Sequence, residues 1–238
     1  MARAHLHADD GVTGEMLLGA LVSAGASVER IEQALRTLGG GAVKLAVAHV
    51  SRRGRTACRV RLHAPEETPP TGSYERVLEI LEYAALPDPV RDCAVATFAG
   101  LSEALAASAG LAPTDLDLPE VGALDTIAII VGVCAAVDDL DLDEITVGPI
   151  GVGSGTVVTF EGPVPEPAPA VRRLLAAFDL RDRGVADHQL VSPTGAALLR
   201  QVAAPVGAPP FTDIARTGYG AGDREAPHEP CLRADIAV

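Results

Sequence analysis

From Ile127 to Val137 the chain carries no polar side chain, and this unbroken apolar run dominates its hydropathy pattern. The run is too short to cross a bilayer, which takes about 20 apolar residues, but long enough for a helix. Because it is apolar on every side, it is expected to be packed all round rather than laid on a surface. Elsewhere the pattern is periodic. Ala4 to His7 alternates as a short strand. Thr13 reads as the N-cap of a helix carrying Met16, Leu17, Ala20, Leu21 and Ala24 at helical spacing and stopping at Gly25. Ser27 caps a second helix with Val28, Ile31, Leu35 and Leu38. Val43 to Val50 and Thr56 to His63 alternate as strands about the basic turn Arg52-Arg53-Gly54-Arg55, a hairpin pattern. Ser73 caps a helix with Val77, Leu78, Ile80 and Leu81, and Pro87-Asp88-Pro89 opens a longer one to about Ala109.

Beyond the apolar run, Asp138 to Glu144 reads as an acidic turn and Ile145 to Ile150 as a strand. Gly151-Val-Gly153-Ser154-Gly155 reads as a glycine loop, and Thr156 to Phe160 as a further strand. Pro163 to Pro169 is extended, and Ala170 to Phe178 helical. Ser192 caps a helix with Pro193 at its first position. Gly218-Tyr219-Gly220-Ala221-Gly222 reads as a flexible loop and Cys231 to Val238 as a last strand. These elements predict an α/β (α+β) fold, two-lobed and mixed, with a buried central helix and no transmembrane segment. Residues 1–64 are expected to form an N-terminal lobe, the Pro-rich stretch 65–72 a linker, and 73–238 the main lobe.

Composition sharpens this. Of 238 residues, 48% are hydrophobic but only 3% aromatic, with no Trp, so Ala, Val, Leu and Ile must build the core. The net charge of −13 argues against nucleic acid, whose phosphates call for a basic surface. A small phosphorylated ligand stays open, since amides at a helix start bind phosphate locally. Cys58, Cys93, Cys134 and Cys231 form neither a CxxC pair nor a disulfide framework. Charge follows the first residues where a signal peptide would have its apolar core, so the chain reads as cytoplasmic.

Four groups of residues could carry chemistry. Asp117, Glu120 and Asp125 stand directly before the apolar run, where charges are held rigidly beside the core. Asp117-x-x-Glu120 also has capping-box spacing, and on a continuous helix Glu120 and Asp125 would lie about 140° apart. They converge only if Glu120 lies in the non-helical lead-in. His5, His7, Asp9, Asp10 and Glu15 form the one metal-like cluster near the N-terminus, with a solvated polar turn as the alternative. Gly151, Gly153, Ser154 and Gly155 resemble a phosphate cradle, but no Lys-Ser/Thr follows, so there is no P-loop, and a tight β-turn or bulge is the alternative. The free amides of Thr194 and Gly195, behind the Ser192 cap, would suit an anion.

Five stretches occur in one order: Gly11-Val-Thr-Gly14-Glu-Met-Leu-Leu-Gly-Ala-Leu21; Glu120-Val-Gly-Ala-Leu-Asp125-Thr-Ile; Gly151-Val-Gly-Ser-Gly155 with Pro163-Val-Pro-Glu-Pro-Ala-Pro169; Ser192-Pro-Thr-Gly-Ala-Ala-Leu-Leu199; and Gly218-Tyr-Gly-Ala-Gly222. Together they resemble the LarC family, the nickel insertion proteins of nickel-pincer nucleotide cofactor synthesis. The likeness covers almost the whole chain.

The resemblance implies a lyase-class cyclometallase that inserts nickel into a pyridinium-3,5-bisthiocarboxylate mononucleotide in a CTP-dependent reaction, forming one Ni–C and two Ni–S bonds. It implies Glu120 and Asp125 as base or metal ligands, with Asp117 in place of a lost imidazole; His7 and Asp9, from the N-terminal cluster, are the further candidate ligands. Gly151, Gly153, Ser154, Gly155, Ser192, Thr194, Gly195, Tyr219 and Gly220 would hold the nucleotide. The implied metal is nickel or another divalent ion. CTP with Mg or Mn is implied only where a separate C-terminal half is supplied, since the chain stops where the family's CTP-binding domain would begin. That half and a sulfur-transferase protein are the implied partners, and a homo-oligomer is compatible with the pattern. Asp117 and Pro119 stand where the family has histidines, residues 66–72 lack its His-rich segment, and His7 replaces its strand-ending Asp. Imidazole suits nickel and carboxylate suits harder ions. A divergent non-catalytic paralogue or accessory subunit, or an enzyme with altered metal or substrate, is therefore the alternative reading.

Overall fold

The computed structural model describes residues 2–38, 43–64, 73–116, 124–159, 162–185, 188–222 and 231–237. In order the elements are β1 (Ala2–Ala8), α1 (Gly14–Ser23), α2 (Val28–Leu35), β2 (Lys44–Arg52), β3 (Arg55–His63), α3 (Tyr74–Tyr83), α4 (Asp88–Ala109) and α5 (Leu124–Asp139). There follow β4 (Leu142–Ser154), β5 (Thr156–Thr159), β6 (Gly162–Pro165), α6 (Pro169–Leu174), β7 (Leu180–Val185), α7 (Pro193–Val202), β8 (Ala204–Pro205), β9 (Arg216–Ala221) and β10 (Cys231–Ala237). One mixed sheet runs β2-β3-β9-β10-β1-β4-β7, with β8 also on β4, and β5-β6 form a separate hairpin. Strands from either side of residues 65–72 interleave in it: β3 lies beside β9, and β1 between antiparallel β10 and parallel β4. The fold is the expected mixed α/β one. Among the described residues no helix is long and apolar enough to cross a membrane.

The apolar run folds as expected. Leu124 and Ile127 to Ala136 on α5 are buried, packed against α1, α2 and α4. Burying each Ile side chain stabilises the fold by roughly 1.5–3 kcal/mol. Thr13, Ser27, Ser73 and Ser192 all cap their helices, each hydroxyl accepting a first-turn amide.

Three local expectations need correcting. The acidic stretch after the apolar run is not one turn: α5 continues to Asp139 and β4 begins at Leu142. The glycines at 151 and 153 are not a loop either. β4 continues through them to Ser154, and only Gly155, at φ +92°, turns the chain into β5. Gly218 and Gly220 belong to β9, not a flexible loop. A Cβ on Gly220 would stand 1.8 Å from the carbonyl oxygen of Met16, and one on Gly218 2.1 Å from that of Ala20. These glycines let the backbone of α1 lie directly on the sheet. A turn-like composition here serves close packing.

Cys93 on α4 and Cys134 on α5 bring their sulfurs to 2.6 Å, and all four cysteines are free thiols. Burial, with the Cys93 thiol beside it, pushes the Cys134 thiol well up from its ordinary value.

Candidate functional site

Three helices begin at one place. The starts of α1, α5 and α7 and the end of β3 surround a cleft of about 460 Å³. From α1 come Thr13 and Glu15, from α5 Asp125, Thr126 and Ile129, from α7 Ser192 and Thr194, and from β3 Arg61, Leu62 and His63.

Local sequence explains why the helix starts can meet. The segment before α7 runs parallel to the segment before α1. The Val12 amide donates to the Leu190 carbonyl at 3.0 Å, and the Ser192 amide donates to the Val12 carbonyl at 3.1 Å. This stitch sets the caps Thr13 and Ser192 side by side. Gly195 permits it, since a Cβ there would lie 2.6 Å from the Val12 oxygen. Gly14 permits the approach of α5, since its Cβ would lie 2.9 Å from the Ile129 side chain.

Each helix presents first-turn amides that no helical carbonyl can satisfy, together with the positive end of its dipole. One helix start is a modest anion site; three around one volume, with Arg61 and His63 opposite, make it favourable to a negatively charged group. The cleft also holds carboxylates. Asp125 is exposed at the start of α5, and its Oδ1 accepts the amide of Thr126 at 2.8 Å. Glu15 is half-buried in the first turn of α1. Ile129 and Leu62 supply the apolar wall. Hydroxyls and amides for an anion, carboxylates for a proton or a cation, and an apolar surface for a ring therefore share one cleft.

Of the residues singled out in the sequence, the structure brings Asp125, Ser192 and Thr194 to this cleft, with Gly195 directly beneath, donating its amide to Ser192 Oγ at 3.0 Å. Asp117 and Glu120 lie outside the described residues. Gly151, Gly153, Ser154 and Gly155 lie on β4 and its following turn, and Tyr219 and Gly220 on β9; none of these lines the cleft. A Cβ on Gly151 would meet the Asp9 carbonyl oxygen at 1.9 Å, so that glycine serves strand packing.

The N-terminal cluster disperses. His7 Nε2 bonds to Asp235 Oδ2 at 2.9 Å, Asp10 pairs with Arg53 at 2.6 Å and Arg183 at 2.9 Å, Asp9 is exposed, and Glu15 faces the cleft. His5 bonds Thr146 Oγ1 at 2.9 Å. Among the described residues no group of three or more histidine, cysteine or acidic side chains could hold a metal ion.

Arg61, His63 and Thr126 did not stand out in the sequence reading. A signal for the first two exists: residues 43–63 carry six Lys or Arg and no Asp or Glu, in a chain of net charge −13. That segment is the β2–β3 hairpin, and its end forms the basic side of the cleft.

The fold and cleft define an α/β protein whose separated motifs assemble at helix starts, and the comparisons say of which kind. The chain belongs to the nickel insertion protein family, which matches residues 4–236. It is 38% identical, over 100% of its length, to a pyridinium-3,5-bisthiocarboxylic acid mononucleotide nickel insertion protein of Nocardioides sp., of which it covers 60%. It is 35% identical to a relative in Synechococcus elongatus over 99% of this chain and 59% of that protein. It is 38% identical to one in Thermomicrobium roseum, over 98% of this chain and 57% of that protein; both bear the nickel insertion name. The chain thus spans about 60% of the length of the curated relatives it matches. No solved structure matches it.

Proposed function

We propose that the chain forms the substrate-holding part of a nickel insertion protein acting on a pyridinium-3,5-bisthiocarboxylate mononucleotide-type precursor. The observation that carries this reading is the assembly of three family stretches, far apart in sequence, at one cleft: Thr13 and Glu15, Asp125 and Thr126, Ser192 and Thr194. The nucleotide phosphate would lie at the starts of α1 and α7, under the Ser192 and Thr194 hydroxyls, with Arg61 as counter-charge. The pyridinium ring would lie along Ile129 and Leu62. Nickel here is a substrate. It meets two thiocarboxylate sulfurs and one ring carbon of the nucleotide, and the proton leaving that carbon passes to a carboxylate. Asp125 and Glu15 are the described candidates for that acceptor, and Glu120 is a further one on the family resemblance. CTP with its Mg or Mn would be handled by a C-terminal half, and a sulfur-transferase protein would supply the dithiolated nucleotide.

The deciding experiment is metal analysis of the purified chain after gel filtration, with and without the dithiolated pyridinium nucleotide. Nickel is expected to stay with the protein only when the nucleotide is present. It should be lost in T194E, whose carboxylate repels a phosphate at the start of α7. Equal nickel retention with and without nucleotide, or an unaffected T194E, would overturn the reading.

A further inference from the structure

Glu166 lies just after β6 and is buried, with 2% of its surface exposed. Its own amide donates to the Gly155 carbonyl at 3.0 Å, which fixes it to the end of β4. Its Oε1 accepts the Leu190 amide at 3.3 Å, and its Oε2 is buried without a hydrogen bond of good geometry among the described residues. Leaving a carboxylate oxygen unsatisfied in the interior is costly, so a carboxyl at this position calls for an explanation in what it holds.

It holds the stitch behind the cleft. Leu190, whose amide Glu166 takes, gives its own carbonyl to the Val12 amide, and the Val12 carbonyl takes the Ser192 amide. A line of hydrogen bonds therefore runs from Glu166 through Leu190 and Val12 to the N-cap Ser192, and Val12 is covalently joined to the other cap, Thr13. Burial pushes the Glu166 carboxyl above the usual range, while the amides of Leu190, Gly153 and Val191, and His188 nearby, favour its charged form.

From this geometry we infer that Glu166 is a positioning residue of the cleft: it never touches the ligand, but it fixes residues 190–192 so that the starts of α1 and α7 present their amides to one anion. The inference rests on reading the cleft as the nucleotide site. It assigns a task to the Pro163–Pro169 stretch, which the cleft lining does not explain.

The test compares E166Q, E166M and E166D in the whole chain by two measurements. The first is amide hydrogen exchange without ligand at residues 190–195 and 13–17, with α4 as internal reference. Gln keeps the acceptor oxygen and should keep wild-type protection. Met fills the volume without an acceptor, and Asp withdraws it by one methylene; both should speed exchange at 190–195 selectively. The second is calorimetric titration with nicotinate mononucleotide, a pyridinium carboxylate bearing the same sugar phosphate. E166M and E166D should weaken its Kd by about tenfold, because the ligand must then itself order residues 190–192 that one hydrogen bond to a charged group had held, and E166Q by much less. Should E166M not fold, E166D carries the comparison. If wild type binds no mononucleotide, the cleft reading falls while exchange still decides whether Glu166 holds the caps. Wild-type exchange at 190–195 in both E166M and E166D would overturn the inference, as would selective loss of protection in E166Q equal to theirs.

Discussion

Two polar regions of this protein are built from similar residues and behave as opposites. On the sheet face turned away from α1, the Asp235 carboxylate takes Thr217 Oγ1 at 2.7 Å, Arg233 Nε at 2.8 Å and His7 Nε2 at 2.9 Å. Burial opposes charge on Asp235, but the bonds from Arg233, Thr217 and His7 outweigh it and hold the carboxyl below its usual range. Around the cleft, by contrast, Asp125 is exposed, with its Oδ1 accepting the amide of its own neighbour Thr126, and the starts of three helices surround open volume. The first region spends its hydrogen-bonding capacity on the fold, and the second keeps it for something that is not the fold. Charged residues alone do not mark a site; what distinguishes the cleft is polar capacity held open by rigid elements.

The contrast breaks most sharply at Asp235. D235A would leave the Arg233 guanidinium without its buried counter-ion and His7 and Thr217 without their acceptor. Arg233 is 36% exposed, so solvent screens part of the loss, and removing the carboxylate costs about 3 kcal/mol, the lower end for a buried pair. Urea unfolding should show that loss, while mononucleotide binding per folded molecule stays at the wild-type level. A stable D235A that no longer binds would move the functional site to this face.

A smaller effect comes from His5, which lies beside His7 and bonds Thr146. Burial, then the neighbouring His7, lowers its pKa from 6.5 to about 4. A histidine with a folded pKa below its unfolded one takes its proton first in the unfolded chain. Stability is therefore lost as pH falls from about 6.5 towards about 4 and levels off below. The shift corresponds to about 3 kcal/mol at most. Glu166, raised by burial, acts in the opposite direction, so the comparison must be with H5Q. Wild type should lose more stability than H5Q between pH 7 and pH 4; equal losses would show that His5 is not held neutral by the fold.

Periodicity and capping chemistry are local, and they made most of the fold legible. The run Ile127–Val137, the caps Thr13, Ser27, Ser73 and Ser192, and the hairpin around Gly54 all form where their side chains predict. Gly218 and Gly220 misled because glycine has two uses, turning a chain and admitting another backbone. Only the tertiary neighbour, here α1, says which applies. The candidate site was legible in part for the same reason. Asp125, Ser192 and Thr194 announce themselves as helix starts, but nothing local says that three helix starts meet. Arg61 and His63 face the cleft only because β3 pairs with β9 under α1. Conversely, His5, His7 and Asp10 looked like a cluster because they are near in sequence, whereas strand alternation and the turn after β1 hand them to Thr146, Asp235 and the arginines Arg53 and Arg183.

The smallest stability effect belongs to Asp125, and there the comparison is sharpest. Asn at this position keeps an oxygen for the Thr126 amide and loses only the charge. A negative charge in a first helical turn at an exposed position contributes about 0.3–1 kcal/mol, so D125N should melt within a few degrees of wild type. Its effect on ligands depends on what the carboxylate does. If Asp125 merely tempers the positive helix starts, neutralising it should tighten inorganic phosphate and the mononucleotide, and leave the metal response of the complex unchanged. If it accepts the ring proton or meets the metal, D125N should keep or improve nucleotide binding while losing nickel retention in the nucleotide complex. We expect the second result. The measurement pairs a thermal melt with nucleotide titration and metal analysis on one preparation. A D125N protein that binds nucleotide more tightly and still retains nickel would remove Asp125 from the chemistry and leave it a surface charge of α5.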